Sequence, residues 1–154
     1  MDDSSPRPYE NTTDDDIRTI LTEVKVIAVV GLSAEPTRPS HYVFDFLRRR
    51  GYTMVGVNPG LAGKEILGAP VYARLADIPF PVDMIDIFRN SAAAGAVVDE
   101  ALALAPRPKV IWMQLDVCNE EAAQKAKAQS LKVVMNRCPK IEYQRLMQAP
   151  FGSA

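Results

Sequence analysis

Two cysteines, Cys118 and Cys138, and one histidine, His41, are all that the 154 residues offer in thiol and imidazole groups. They stand apart with no CxxC, which argues against a zinc site and a disulfide framework and fits a reducing cytoplasm. HExxH, GxSxG and the Walker sequence are absent too, so the common metalloprotease, hydrolase and NTPase machineries are excluded. No apolar run approaches the ~18 residues of a membrane span. The opening MDDSSPRPYENTTDDD is acidic and lacks an apolar core, so it does not read as a secretory signal. Charge of one sign is missing as well: 18 basic against 19 acidic side chains leave a formal net charge of -1. Nothing global draws this chain to nucleic acid or to a membrane, and any anion site must be local.

What is present is an ordinary globular composition, 47% hydrophobic and 24% charged. It suits one domain that buries about 70% of the surface exposed by the unfolded chain. Residues 1–11 read as a flexible acidic arm and 12–150 as the domain. Thr12 or Thr13 is expected to cap a first helix, because Asp14, Asp15 and Asp16 then lie where unpaired N–H groups point. Five nearly continuous apolar runs follow, at Val26–Val30, Met54–Val57, Met84–Phe88, Val110–Leu115 and Leu131–Met135, as strands covered on both faces require. Helical patterns separate them. Val43, Phe46 and Leu47 form one stripe, and Ala93, Val97, Ala101 and Leu104 another; Asn119 caps a third helix, and a last one starts near Pro139.

This alternation predicts an α/β fold: a doubly wound parallel five-stranded sheet, order 3-2-1-4-5, in three α/β/α layers. The stretch from Gly60 to Pro81, with three glycines and three prolines, is too long for a simple connection. It predicts an excursion with a small strand near Val71 and a helical turn around Leu75 to Ile78.

In such a sheet a ligand sits beyond the carboxyl ends of the strands. Polar and turn-forming residues collect there, at Gly31-Leu32-Ser33, Asn58-Pro59-Gly60, Phe88-Arg89-Asn90, Gln114-Leu115-Asp116 and Asn136-Arg137-Cys138. A helix N-terminus at this edge offers N–H groups and partial positive charge to a phosphate. Gly31 would let backbone approach a diphosphate, with Ser33 and Ser40 as hydroxyl donors. After Gly31 the next glycine is Gly51, so the three-glycine dinucleotide fingerprint is missing, and the second strand ends in Asn58 where an NAD site presents an acid. Both absences count against NAD.

Five segments in order, VVGLSAEPTRPS, GYTMVGVNPGLAGKEILGAPVYARLADIP, VDMIDIFRNS, WMQLDVCNEEAAQKA and VVMNRCPKIE, make the chain resemble the small CoA-binding proteins of the YccU-like group. These in turn look like the N-terminal CoA-binding domain of the succinyl-CoA synthetase alpha subunit. The resemblance spans about Val24 to Leu146 and implies a Rossmann-like domain that binds coenzyme A. It assigns the phosphate loop to Gly31, Leu32, Ser33, Arg38 and Ser40, and the second-strand loop to Asn58 and Pro59. A basic contact falls at Lys64; Gly60 stands where many relatives carry lysine, which implies that one phosphate contact is lost or shifted to Lys64, and the pantetheine and adenosine path runs beside Phe88, Arg89 and Asn90. CoA carries a diphosphate and a separate 3'-phosphate, so a helix mouth would serve the first and Arg38, Lys64 and Arg89 the second.

Catalysis is not expected of this chain. His41 beside Ser40 suits a structural or ligand-stacking role, Cys138 beside Arg137 suits packing better than reactivity, and Asp86 and Asp116 do not define a carboxylate pair. The expectation is therefore a non-catalytic CoA or acyl-CoA carrier, sensor or regulatory module in the cytoplasm. One alternative is an NAD(P)-type enzyme subunit completed by a protein partner. Another is a scaffold that keeps the fold without the ligand.

Overall fold

In a computed structural model that describes residues 12–148, the first helix, α1 (Asp14–Glu23), opens as its acidic start dictates. Thr13 Oγ1 accepts from Asp16 N–H (3.1 Å), and the Asp16 carboxylate accepts from Thr13 N–H (3.2 Å), a reciprocal cap. Strand and helix then alternate through β1 (Val26–Val30), α2 (Pro39–Arg49) and β2 (Thr53–Val57). The excursion holds β3 (Glu65–Ile66), β4 (Ala69–Tyr72) and a 3-10 turn at Leu75–Asp77. Beyond it come β5 (Met84–Ile87), α3 (Ser91–Leu102), β6 (Val110–Met113), α4 (Glu120–Ala128), β7 (Lys132–Val134) and α5 (Pro139–Leu146).

The sheet is doubly wound and Rossmann-like, but it has seven strands rather than five, in the order β3-β4-β2-β1-β5-β6-β7. The two extra strands both come from the excursion. β4 docks parallel beside β2 through Gly56↔Val71 and Val57↔Tyr72, and β3 pairs antiparallel with β4 at the outer edge. The five apolar runs stand in the order 2-1-3-4-5 and not 3-2-1-4-5, because β5 pairs directly with β1; with β4 counted as third strand the six parallel strands run 3-2-1-4-5-6. β3 escaped notice since two residues, Glu65 and Ile66, give no periodicity to read.

Two apolar layers sandwich the sheet. On one face, α3 and α4 pack through Ala94, Val97, Val98, Ala101, Ala122, Ala123 and Ala126 onto Ala28, Val30, Ile85, Ile87 and Ile111. On the other, Ile17, Ile20 and Leu21 of α1 and Val43, Phe44 and Leu47 of α2 cover Ile27, Val29, Met84 and Trp112. The buried stripe of α2 therefore runs through Phe44, whereas Phe46 flanks it, edge-on to Tyr143 at 5.7 Å and beneath the Arg50 guanidinium at 4.5 Å. On α3 the buried stripe is Ala94, Val97, Val98 and Ala101; Ala93 is only half-buried, as is Leu104 beyond the end of the helix. The proposed arm, residues 1–11, and the last two residues of the proposed domain, 149–150, lie outside the described residues.

Candidate functional site

Because β1, β2, β4, β5, β6 and β7 run parallel, their carboxyl ends open on one edge. The chain leaves β1 at Gly31, whose φ of +94° suits a residue without a side chain. A Cβ there would lie 2.6 Å from the Phe88 carbonyl oxygen and 3.3 Å from Arg89 Cδ. Gly31 N–H donates to the Val57 carbonyl (2.9 Å). The missing side chain thus first serves the close passage of β1 past the end of β5, and the Gly31 amide is spent on β2. Leu32 turns its side chain into the core over Gly56, where an added Cβ would meet Leu32 Cδ2 at 2.5 Å, so only its backbone belongs to the loop.

The loop between β1 and α2 is tied up from within. Ser33 N–H donates to Ser40 Oγ (2.9 Å), Glu35 N–H to Ser33 Oγ (3.0 Å), and His41 Nδ1 to the Ser33 carbonyl (2.9 Å). Ser40, 5% exposed, is a loop anchor, and His41 clamps the loop to its helix. Asn58 staples the neighbouring turn, its Nδ2 donating to the Leu32 carbonyl (2.7 Å) and its Oδ1 accepting from Gly60 N–H (2.8 Å). Asn90 Oδ1 accepts from Ala93 N–H (2.8 Å) and so caps α3. Asn119 does the same for α4 through Ala122 N–H (3.0 Å). By contrast α2 and α5 start on Arg38-Pro39 and Cys138-Pro139 with no side-chain cap, so their positive ends are left for an outside acceptor.

Two cavities open along this edge and share Arg89. The smaller, about 300 Å³, lies between Gly31, Asn58, Pro59, Arg74 and Glu100. The larger, about 610 Å³, lies between the starts of α2 and α5, walled by Tyr42, Val43, Phe88, Val117, Cys138 and Ile141. Tyr42, Leu115 and Ile141, three of the large apolar side chains left exposed, gather on its rim, and Lys140 Nζ sits 5.0 Å over the Tyr42 ring. Gln114, 6% exposed, lines this cavity with its Oε1 buried and unpaired among the described residues. Deeper on the same strand face as Phe88, Asp86 is fully buried and neither of its oxygens has a partner there; burial pushes its carboxyl well above the usual carboxylate range.

Of the residues singled out from sequence, Gly31, Asn58, Pro59, Phe88 and Arg89 line the two cavities, and so do Gln114 and Cys138. Leu32, Ser33 and Ser40 build the loop beside them, while exposed Arg38 and Lys64 line neither, and Asn90 adjoins Arg89 as the α3 cap. Asn136 accepts from Asp116 N–H (2.7 Å), and Arg137 is held by Glu142 (3.2 Å), so this turn supports the edge from behind. Sequence reasoning passed over Arg74, Tyr42, Lys140 and Ile141. Arg74 was legible in principle, as the cation that follows the strand near Val71; the other three belong to helices whose convergence only the fold decides. Among the described residues no cluster is suited to a metal ion, and no helix is long and apolar enough to cross a membrane.

Residues 25–144 match the family model described as a CoA binding domain. The uncharacterized protein YneT of Bacillus subtilis (strain 168) is 37% identical over 135 residues, which is 87% of this chain and 96% of the relative. A solved Thermus thermophilus protein shares 37% identity with a TM-score of 0.82, over 88% of this chain and 99% of its own. A hypothetical protein from Pyrococcus horikoshii OT3 shares 36% identity with a TM-score of 0.85, over 96% and 100%.

Proposed function

The chain belongs to the family of CoA binding domains, and from that premise we propose that it is a CoA or acyl-CoA binding protein that acts as a carrier, sensor or regulatory module without chemistry of its own. The observation that carries the reading is the pair of cavities joined at Arg89, one beside the β1 and β2 turns with Asn58, Arg74 and Glu100 in its wall and one largely apolar between two uncapped helix starts. CoA is a molecule of just these two halves: a phosphate-rich nucleotide and a long, mostly apolar arm with amides. Phosphates are held by backbone N–H groups and by Arg89, with Arg74 next along the edge. The arm lies against Tyr42, Val43, Phe88 and Ile141.

The reading without catalysis rests on what the polar side chains do. His41, Asn58, Asn90 and Ser40 are all committed to holding loops and helix ends. The NAD(P) alternative finds no support, since β2 ends in Asn58, a neutral side chain bonded at both ends, and not in an acid that would grip a ribose 2'-hydroxyl. Titration calorimetry with CoA, dephospho-CoA and NAD tests the proposal. CoA is expected to bind most tightly, and the loss on removing the 3'-phosphate reports the cations. Equal or tighter binding of NAD refutes it.

A further inference from the structure

Among the described residues four large apolar side chains are left exposed: Tyr42, Leu67, Leu115 and Ile141. Three of them, Tyr42, Leu115 and Ile141, come from distant parts of the sequence and meet on the rim of the larger cavity. Apolar side chains scattered singly over a surface need no explanation, whereas a set gathered on one cavity marks a binding surface. Leu115 is also held there. Its turn is closed by Val117 N–H donating to the Gln114 carbonyl (2.9 Å). The next residue, Asp116, takes a left-handed backbone (φ +68°), with its N–H donating to Asn136 Oδ1 (2.7 Å) and its carbonyl accepting from Ser91 Oγ (3.4 Å). Across the mouth, α2 and α5 meet through the Phe46 and Tyr143 rings, 5.7 Å apart, and so fix Tyr42 opposite Ile141. The braced turn presents its leucine to whatever lies over the cavity.

We infer that this rim binds the acyl chain of a medium-chain acyl-CoA, with a saturated chain of about eight carbons. The inference rests on the reading of this edge as a CoA site. Gly31 at the end of β1 and Leu115 beyond β6 are two strand spacings apart across β5, which is about 10 Å. The arm from diphosphate to sulfur has about as many bonds as four extended residues, ~13–14 Å. Phosphates held near Gly31 and Arg89 therefore bring the sulfur to Leu115 and Ile141. The apolar rim begins where the acyl group would be attached.

Capacity decides where that chain goes. At about 30 Å³ for each methylene-sized group, a water's share of its liquid, the cavity of about 610 Å³ takes about 20 groups. The arm has nearly that many, so free CoA fills the cavity and leaves the rim bare. An acyl chain is laid across the mouth instead, over Leu115, Ile141 and Tyr42. Neighbouring helices pack with axes about 8–10 Å apart, so at ~1.2 Å per bond of extended chain about seven to eight bonds span from α5 to α2. That is the length of an octanoyl chain. Full burial of one methylene is worth about fourfold in affinity, and one covered on a single side about twofold. The methylenes that separate octanoyl from acetyl then amount to about 60-fold.

Titration calorimetry of the full chain with CoA, acetyl-CoA, octanoyl-CoA and dodecanoyl-CoA tests the inference. Octanoyl-CoA is expected to bind at least about tenfold more tightly than acetyl-CoA, and dodecanoyl-CoA to add less than about fivefold, because its last carbons pass beyond the rim. Leu115→Ser and Ile141→Ser, both at exposed positions, should each lower the octanoyl-to-acetyl ratio at least about threefold. Leu67→Ser, at the exposed apolar side chain away from this cavity, should keep the parent ratio. A parent ratio below about tenfold, a larger gain on going to dodecanoyl, or a ratio that neither rim variant lowers overturns the inference. So does a dimer in sedimentation that Leu115→Ser dissolves, since a second copy then covers the rim. Binding of CoA and acetyl-CoA without an octanoyl gain defeats only the acyl claim, and no binding of any of the four defeats the site.

Discussion

Arg89 is the cation that both cavities share, and replacing it by Gln removes the charge while keeping most of the side chain's length. A unit charge about 4 Å from a phosphate oxygen is worth about 4 kcal/mol at the effective dielectric of a protein surface. Arg89 is exposed, and solvent and salt reduce that figure towards the lower part of the roughly 1.5–3 kcal/mol typical of a charge-assisted hydrogen bond. Arg89→Gln should therefore weaken CoA about 10–30-fold, since about 1.4 kcal/mol is tenfold. Calorimetry with CoA and with dephospho-CoA at two salt concentrations checks both the size and the origin. Loss confined to CoA places Arg89 on the 3'-phosphate, and equal loss for both places it on the diphosphate. Arg38→Gln and Lys64→Gln, changed outside both cavities, should cost less than about threefold each by the same screening argument. A folded Arg89→Gln protein that binds CoA within twofold of the parent refutes the placement of the ligand along this edge.

Gly31→Ala should destabilise the fold by about 2–4 kcal/mol, the left-handed backbone and a Cβ 2.6 Å from the Phe88 oxygen acting together. Urea unfolding measures it, and an unchanged midpoint would show that β1 and β5 are not so closely apposed. Asp86 is held protonated by burial, so its folded-state pKa lies above the unfolded value near 3.9, and its contribution to stability is largest below about pH 4 and lost as pH rises through the folded-state value. Asp86→Asn abolishes that loss. Its stability relative to the parent should rise as pH increases above about 4, and parallel pH–stability curves for the two proteins would contradict the burial argument.

Much of the fold was legible because its determinants are local. The five apolar runs became β1, β2, β5, β6 and β7: β1 keeps its predicted bounds, β2 starts one residue earlier, and β5, β6 and β7 are shorter than their runs. Thr13, Asn119 and Pro139 marked helix starts because capping chemistry needs only the next few residues. The excursion was legible as an excursion, with its strand near Val71 and its turn at Leu75–Asp77. That it adds two strands to the sheet was not, since pairing is a property of the partner strand.

The sequence by itself determined the parallel sheet and the edge where a ligand belongs: apolar strands covered on both faces demand helical crossovers, and these leave the polar turns at one end. Tertiary structure decided which residues share that edge. Arg89 and Arg74, 15 positions apart, line one cavity because β4 and β5 flank the β2-β1 pair, while α2 and α5, about a hundred residues apart, enclose the other because both pack on the same sheet face. Gly31 is the plainest case. As a letter it marks a bare corner, but only the packed chain reveals that the space beside it is occupied by the backbone of Phe88.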